Sequence, residues 1–425
     1  MTTDSKLAIN GGKKTINVPF KRYNSMGPEE AEAAAAVVRS GVLSQFIGCW
    51  DPDFFGGPKV QEFERDCEAY FGVKHAVTVN SWTSGLVAAV GAVGIEPGDE
   101  VIVTPWTMAA SATAILHWNA IPVFADIEPQ TFNIDPQSIV NNITPQTKAI
   151  LAVDIFGQSC DIDAIMGIAE QYGLKVIGDT AQAPGTFNKG RVTGTMAHVG
   201  GYSLNYHKHI HTGEGGILVT NDDGIAERLQ LIRNHAEAVV AGKGVDDLCN
   251  MVGHNFRLGE IEAAIGIEQL KKLRHLVETR QKAAQMLTEG LTGLRGLRLP
   301  IVKEDCTHAY YMYPMILDLE LLETSREWIL SALEAEGVQG LAAGYTNIHL
   351  LPIYQRKIAY GRNGFPWTAD FCKRNVNYAK GICPIAEDLH ERTYLGFEMC
   401  MHDLSGSEID LLVAAFQKVW SSLEK

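Results

Sequence analysis

Several features that would mark a membrane, nucleic-acid-binding or disulfide-rich protein are missing from this sequence. No run of about eighteen apolar residues occurs, which argues against a membrane-spanning helix. The formal net charge of −14 leaves no basic stripe to neutralise phosphates, so nucleic acid is not expected as a partner. The eight cysteines are scattered without a CxxC pair, so neither a zinc site nor a disulfide framework is indicated.

The first residues also lack the basic start and apolar core of a secretion signal. Together with cysteines that fit reduced thiols, this predicts a cytoplasmic protein. Neither low-complexity segments nor short repeats occur, which argues against a solenoid.

What is present is a long alternation of strand and helix patterns. The chain has 425 residues, 46% of them hydrophobic, which is enough for two or three domains. After an arm over residues 1–26, strands are predicted at 75–79, 100–104, 121–125, 149–153, 174–179 and 217–220, with helices between most of them. Such near-continuous apolar strands predict a mainly parallel sheet covered on both faces, in an α/β domain over residues 27–290. A smaller α+β domain is predicted over residues 291–425.

Candidate ligand-binding residues follow three of these strands. Ser81, Trp106 and Asp179 each lie at or just after a predicted strand end. Because open parallel sheets bind ligands at the carboxyl ends of their strands, these residues are expected on one rim. The turn Ser81-Trp82-Thr83 also opens a small-residue helix, where free amides and the helix dipole favour an anion. The hydroxyls in this turn are equally consistent with ordinary helix caps.

Lys208 stands in a polar stretch that ends in a glycine run, Gly213-Glu-Gly-Gly216. A lysine amine becomes a nucleophile when it is desolvated near other cationic groups. Two interpretations follow from these residues alone: a Schiff base with pyridoxal phosphate, or a solvated loop lysine. The histidines at positions 207, 209 and 211 are not predicted to bind a metal, because no carboxylate completes the set. His207 is a candidate for substrate contact.

With these motifs in this order, the chain resembles pyridoxal-phosphate enzymes of fold type I, and among them the DegT/DnrJ/StrS-type sugar aminotransferases. The resemblance runs from about residue 28 to 420. Ser203, Lys208 and the glycine run match the family's Schiff-base motif, and Asp179-Thr-Ala-Gln182 matches its strand-end motif. The turn at 81–83 matches the family's Ser-Gly-Thr, and residues 253–257 match its Gly-x-Asn-Tyr-Arg.

The resemblance implies a role for each matched residue. Lys208 holds the cofactor and moves protons, and Asp179 pairs with the pyridine nitrogen and keeps it protonated. Gln182 lies near the cofactor's 3′ oxygen. The phosphate is held by the Ser203 hydroxyl and by backbone amides of the turn, which are those of Trp82 and Thr83.

Asn255 is implied to reach that phosphate from a neighbouring subunit, so a homodimer with shared active sites is expected. A cap on the following helix is the alternative for this residue. The aromatic stretch at 40–58 is predicted to be either a packed surface loop or a lid or subunit contact.

The sequence departs from the family at two places. Trp82 stands where the family turn has glycine, so a bulky side chain is expected to project near the site. Met108 aligns with the aromatic residue that stacks on the cofactor ring, unless the register slips and Trp106 stacks instead. For substrate contacts the candidates are Tyr345, His349 and Arg257, and capping or core roles remain open for each.

The function implied by the resemblance is a pyridoxal-phosphate-dependent transfer of an amino group from an amino acid, expected to be L-glutamate, to a nucleotide-linked keto sugar. A keto cyclitol is the alternative acceptor. A keto-sugar dehydratase is less favoured, because those relatives carry histidine in place of the lysine. A regulatory protein on the same fold is disfavoured by the intact Lys208 and Asp179.

Overall fold

The computed structural model describes residues 6–423. The first five residues of the predicted arm and the last two of the chain therefore lie outside the described residues. The helices are α1 (Pro28–Ser40), α2 (Pro58–Phe71), α3 (Trp82–Ala92), α4 (Ala110–His117), α5 (Pro136–Asn142), α6 (Ile162–Tyr172), α7 (Asp223–Arg233), α8 (Ala236–Lys243), α9 (Glu260–Leu291), α10 (Leu319–Leu322), α11 (Arg326–Ala335), α12 (Pro352–Gln355), α13 (Pro384–Asp388) and α14 (Gly406–Leu423).

The strands are β1 (His75–Val79), β2 (Glu100–Val103), β3 (Ile121–Phe124), β4 (Thr147–Val153), β5 (Lys175–Asp179), β6 (Phe187–Asn188), β7 (Arg191–Val192), β8 (Val199–Ser203), β9 (Gly216–Thr220), β10 (Leu297–Arg298), β11 (Tyr313–Leu317), β12 (Leu341–Ala342) and β13 (Tyr394–Phe397). Local sequence explains many boundaries. For example, α1 begins at Pro28 with two acidic residues in its first turn, and it is followed by the cap residue Gly41, whose φ of 76° suits glycine.

The large sheet has seven strands in the order β1-β9-β8-β5-β4-β2-β3. Only β9 runs against its neighbours β1 and β8, so the predicted mainly parallel sheet is confirmed. Both faces are covered, because Leu218 joins the core with α3 and α4 whereas Ile217 and Val219 join the core with α2 and α9. This period-two alternation buries every residue of β9.

Strand β8 was not predicted from the sequence, because Gly200 and Gly201 resemble loop residues. In the structure both glycines allow close backbone approach. A Cβ atom at Gly200 would lie 2.0 Å from the Gly194 carbonyl oxygen, and one at Gly201 would lie 2.2 Å from that of Ile217. The strand that leads into the Lys208 stretch is therefore a buried central strand.

The small sheet has four antiparallel strands in the order β10-β11-β13-β12 and packs with α11 and α14. Strands β6 and β7 form a separate antiparallel pair. The longest helix of the described residues, α9, has 32 residues. Its first half packs on the large sheet, and its last turns pack in the core of the small sheet. The predicted domain boundary at residues 290–291 falls at the end of α9, and that division stays a prediction.

The predicted N-terminal arm is attached to the small sheet. Leu7, Ile16 and Phe20 are buried in the core around that sheet, and the Ala8 amide donates to the Glu336 carboxylate at 2.8 Å. Among residues 6–423, every helix is too short or too polar to cross a bilayer.

Candidate active site

A cleft of about 180 Å³ opens at the carboxyl ends of β1, β5 and β8. It brings together nine of the side chains proposed from the sequence, which come from four separate stretches of the chain. These residues are Ser81, Trp82, Thr83, Met108, Asp179, Gln182, Ser203, His207 and Lys208.

The turn before α3 offers free backbone donors to the cleft. Ser81 caps the helix, because its hydroxyl accepts a hydrogen bond from the Ser84 amide at 3.0 Å. Within residues 6–423, the amides of Trp82 and Thr83 donate no hydrogen bond. The cap interpretation of Ser81 and the anion-site interpretation of the turn are thus compatible, since the cap leaves two amides at the positive end of the helix dipole.

Asp179, the last residue of β5, is 4% exposed. Its Oδ1 accepts hydrogen bonds from the Trp82 indole at 2.7 Å and from the Ala181 amide at 3.3 Å. Its Oδ2 accepts one from the Ser111 hydroxyl at 2.8 Å. A buried carboxylate with these three donors is held in one orientation at the wall of the cleft.

Lys208 is 7% exposed, and its Nζ lies 4.2 Å from the centre of the Tyr311 ring. Burial lowers the pKa of Lys208 to about 8, against smaller opposing effects of Cys400 and Asp179. Within residues 6–423, no carboxylate forms an ion pair with it. Its neutral amine is therefore accessible near physiological pH, as a nucleophile requires.

The histidines on either side of Lys208, His207 and His209, have different surroundings. His207 lines the cleft, and burial, together with the charges of Lys208 and His211, lowers the pKa of its imidazole to about 4. His209 is fully buried with its Nε2 at 2.9 Å from the Ala309 carbonyl oxygen, and burial lowers its pKa. In the described part of the chain, no three His, Cys, Asp or Glu side chains are grouped as a metal site requires.

Gln182 connects the cleft to the segment near residue 345. Its Oε1 accepts a hydrogen bond from the Phe156 amide at 2.8 Å, and its Nε2 donates to the Tyr345 hydroxyl at 3.3 Å. Burial raises the pKa of Tyr345 to about 12, so this phenol stays neutral. Tyr345 itself lies behind Gln182 rather than in the lining of the cleft.

Four other residues proposed from the sequence do not line this cleft. Trp106 is fully buried against Tyr394 and Tyr345, whereas Met108 is 60% exposed and does line the cleft. His349 is fully buried with its Nε2 at 2.9 Å from a Glu387 carboxylate oxygen.

The other two residues that do not line the cleft are Asn255 and Arg257. They belong to the segment 253–257, which runs beside the turn before α3. Arg257 donates from Nε to the Asn234 side-chain oxygen at 2.9 Å. Asn255 is exposed, and its backbone oxygen accepts from the Asn80 side chain at 3.3 Å.

Four polar residues of the cleft were not proposed from the sequence: Thr107, Ser111, Asn205 and Glu214. The Asn205 side-chain amide donates to Glu214 at 2.8 Å, which links the two ends of the Lys208 stretch. Both residues stand within the motif already quoted, so the motif itself was the available signal. Ser111 gave no such signal, because it stands among small residues at the start of α4.

The polar groups of the cleft suit the chemistry of pyridoxal phosphate. The two free amides and the Ser203 hydroxyl suit a phosphate, the Asp179 carboxylate suits a protonated ring nitrogen, and the partly neutral Lys208 amine suits an aldehyde. The residues present therefore fit the cofactor that the sequence motifs predict.

Comparison with known proteins gives one consistent answer. The sequence profile of the DegT/DnrJ/EryC1/StrS aminotransferase family matches residues 48–388. The chain is 36% identical to GDP-perosamine synthase of Caulobacter vibrioides over 316 residues, which cover 72% of this chain and 82% of that enzyme. It is 30% identical to L-glutamine:2-deoxy-scyllo-inosose aminotransferase of Streptoalloteichus tenebrarius, with 96% and 97% covered.

The fold has close structural relatives as well. It superposes on the aminotransferase of Psychrobacter cryohalolentis with a TM-score of 0.79 at 28% identity, over 96% of this chain and 100% of that one. This likeness confirms the fold type I architecture that the motifs predict.

Proposed function

Since the chain belongs to the DegT/DnrJ/EryC1/StrS aminotransferase family, whose members depend on pyridoxal phosphate, we propose that it transfers an amino group from L-glutamate to a nucleotide-linked keto sugar. The observation that carries this proposal is the single cleft that contains both Lys208 and Asp179 beside the two free amides of the α3 turn. A regulatory protein on this fold would have no need of a buried lysine whose pKa is lowered to about 8.

Five polar groups of the cleft have a proposed task. Lys208 attaches the cofactor and then accepts and returns a proton at the reacting carbon, because its amine is neutral at an accessible pH. Asp179 holds the ring nitrogen, and the amides of Trp82 and Thr83 hold the phosphate with Ser203. When bound, pyridoxal phosphate supplies the electron sink for the reaction.

Two relatives support different acceptors. The name GDP-perosamine synthase denotes a nucleotide-linked sugar, and this enzyme is the more identical of the two relatives described above. The scyllo-inosose aminotransferase acts on a cyclitol with glutamine as donor, and it is matched nearly end to end. A keto cyclitol with glutamine is therefore our second candidate. Loss of water from a keto sugar remains the less favoured alternative, because Lys208 is intact.

We also propose a cytoplasmic homodimer with shared active sites. Asn255 is exposed beside the α3 turn and does not line the cleft of its own chain, which suits a contact with a second subunit. Exposed apolar side chains at Val42, Leu43 and Trp50 suit a subunit contact in the same way. All eight cysteines are free thiols, which is compatible with a reducing compartment.

Mass spectrometry of the products separates these candidates. The purified protein would be incubated with pyridoxal phosphate, with glutamate or glutamine, and with a panel of nucleotide-linked keto sugars and keto cyclitols. We expect an amino product from a nucleotide-linked keto sugar with glutamate, in amounts equal to the 2-oxoglutarate formed. A deoxy-keto product without an amine would instead identify a dehydratase, and the Lys208→Ala protein is the control for uncatalysed reaction.

A further inference from the structure

Trp82 occupies the one position of the α3 turn at which the chain departs from the family's glycine. We propose that Trp82 is a positioning residue. Its indole fixes the Asp179 carboxylate so that Oδ2 faces the cofactor ring. This inference rests on the proposed function, because the ring nitrogen of pyridoxal phosphate is the group that Asp179 would pair with.

The fold provides a slot for the indole between Gly85 and Gly201. Trp82 is 7% exposed. A Cβ atom at Gly85 of α3 would lie 2.8 Å from the indole Cε3, and one at Gly201 of β8 would lie 2.4 Å from its Cζ3. The ring thus lies between the first turn of α3 and β8, and Gly201 is the residue paired in register with Asp179. The bulky side chain therefore packs against the sheet beside Asp179.

The hydrogen bonds to Asp179 leave one acceptor site free. A carboxylate has about four lone-pair sites, two on each oxygen. Oδ1 uses both of its sites, for the Trp82 indole at 2.7 Å and the Ala181 amide at 3.3 Å. Oδ2 uses one, for the Ser111 hydroxyl at 2.8 Å. The remaining site on Oδ2 is the one that can accept an N–H from a ligand.

The indole also restricts the movement of the Asp179 carboxylate. The bond from Trp82 is short and charge-assisted, and it comes from a rigid ring that the glycine slot prevents from turning. A carboxylate held in this way would present a fixed acceptor to the protonated ring nitrogen of the cofactor, and that proton would promote electron withdrawal.

The test compares two buried tryptophans. Trp82→Phe keeps a ring in the slot and removes the N–H. Trp118→Phe is the matched control, because Trp118 is 8% exposed and its indole donates at 2.7 Å to the Val87 carbonyl oxygen, which is not at the cofactor site. Both variants lose one buried indole hydrogen bond, so an effect on overall stability alone would appear in both.

We expect the Trp82→Phe protein to bind pyridoxal phosphate roughly tenfold more weakly than wild type in a spectrophotometric titration. The pH midpoint of the bound cofactor's visible absorbance should rise by at least about half a unit, because a less firmly protonated ring withdraws less electron density. Trp118→Phe should match wild type in both measurements. If Trp82→Phe also matched wild type, the positioning role would be wrong while the proposed function stood. If the wild-type protein itself bound no pyridoxal phosphate, both the positioning role and the proposed function would be wrong.

A second measurement requires no change at Trp82. In wild-type protein labelled with 15N-tryptophan, each of the seven indoles gives its own N–H signal. We expect Asp179→Asn to move one of them strongly upfield, since a neutral amide oxygen is a weaker acceptor than a carboxylate. The absence of any such shift would overturn the assignment even if Trp82→Phe failed to fold.

Discussion

Polar groups proposed to bind the cofactor and polar groups proposed to bind the acceptor differ in the hydrogen bonds that they make within the protein. On the cofactor side, the amides of Trp82 and Thr83 donate no hydrogen bond within residues 6–423. On the acceptor side, His349 is bonded to Glu387 and Arg257 donates to the Asn234 side-chain oxygen. The two amides are available to a ligand, whereas the side chains of His349 and Arg257 are used by the fold.

This difference has a physical basis. A donor without a protein partner is costly unless water or a ligand accepts its hydrogen, so free donors converging on a cleft indicate a binding site. A buried polar side chain with a short bond to another buried group contributes instead to the local structure. Residue type alone does not separate the two cases, because histidine and asparagine serve both purposes.

The strongest test of the cofactor side is Lys208→Ala. We expect turnover to fall by on the order of 10³-fold or more, with loss of the absorbance of the attached cofactor, because no other lysine lines the cleft among the described residues. Steady-state kinetics and absorption spectra measure both. Lys189→Ala is the matched control, since Lys189 is exposed and pairs with Asp163 on the surface. Retention of more than a tenth of the activity would contradict the assignment of Lys208.

The acceptor side is tested by His349→Ala. We expect the free energy of unfolding to fall by about 2–4 kcal/mol, because the substitution leaves a cavity and removes a partner of the buried Glu387. Cofactor affinity should not change. Urea denaturation and cofactor titration measure the two effects, with the exposed His275→Ala as control. A stable variant with a raised KM for the acceptor alone would show instead that His349 contacts substrate.

The surroundings of Lys208 predict a pH effect on stability without cofactor. Burial lowers the pKa of Lys208 from 10.5 to about 8, so between these values the unfolded chain binds more protons than the folded one. The free energy of unfolding should therefore rise with pH across this window, by on the order of 3 kcal/mol, and the penalty is fully present below pH 8. Comparison of wild type with Lys208→Met in urea denaturation from pH 7.5 upward isolates this contribution. Equal slopes for the two proteins would be evidence against a desolvated lysine.

The smallest effect is expected at Met108. Because Met108 is 60% exposed and lines the cleft, Met108→Ala should weaken cofactor binding by about threefold and leave stability nearly unchanged. Trp106→Phe should lower the stability and leave cofactor binding nearly unchanged, since Trp106 is fully buried in a cluster of aromatic side chains. If only Trp106→Phe weakened the binding of pyridoxal phosphate, the stacking residue would have to be reassigned.

Most of the fold was predictable because its elements carry strong local patterns. Strand β1 has the bounds that the apolar spacing predicts. Strand β9, the one strand of the large sheet that runs antiparallel to its neighbours, was also predicted as a strand. Strand β8 was missed, because glycines that permit close backbone contact resemble those of a loop. The contact of Trp82 with Asp179 joins residues 97 positions apart, and no local pattern encodes it.

The sequence by itself determined the alternation of strands and helices and the motif residues at the strand ends, because periodicity and turn chemistry are local properties of the chain. Only the tertiary structure decided that the Trp82 indole lies against Gly201 and bonds to Asp179, that Met108 rather than Trp106 lines the cleft, and that His349 is bonded to Glu387. Those outcomes depend on which side chains fill the space between packed elements. Contacts between distant parts of the chain decide which side chains these are.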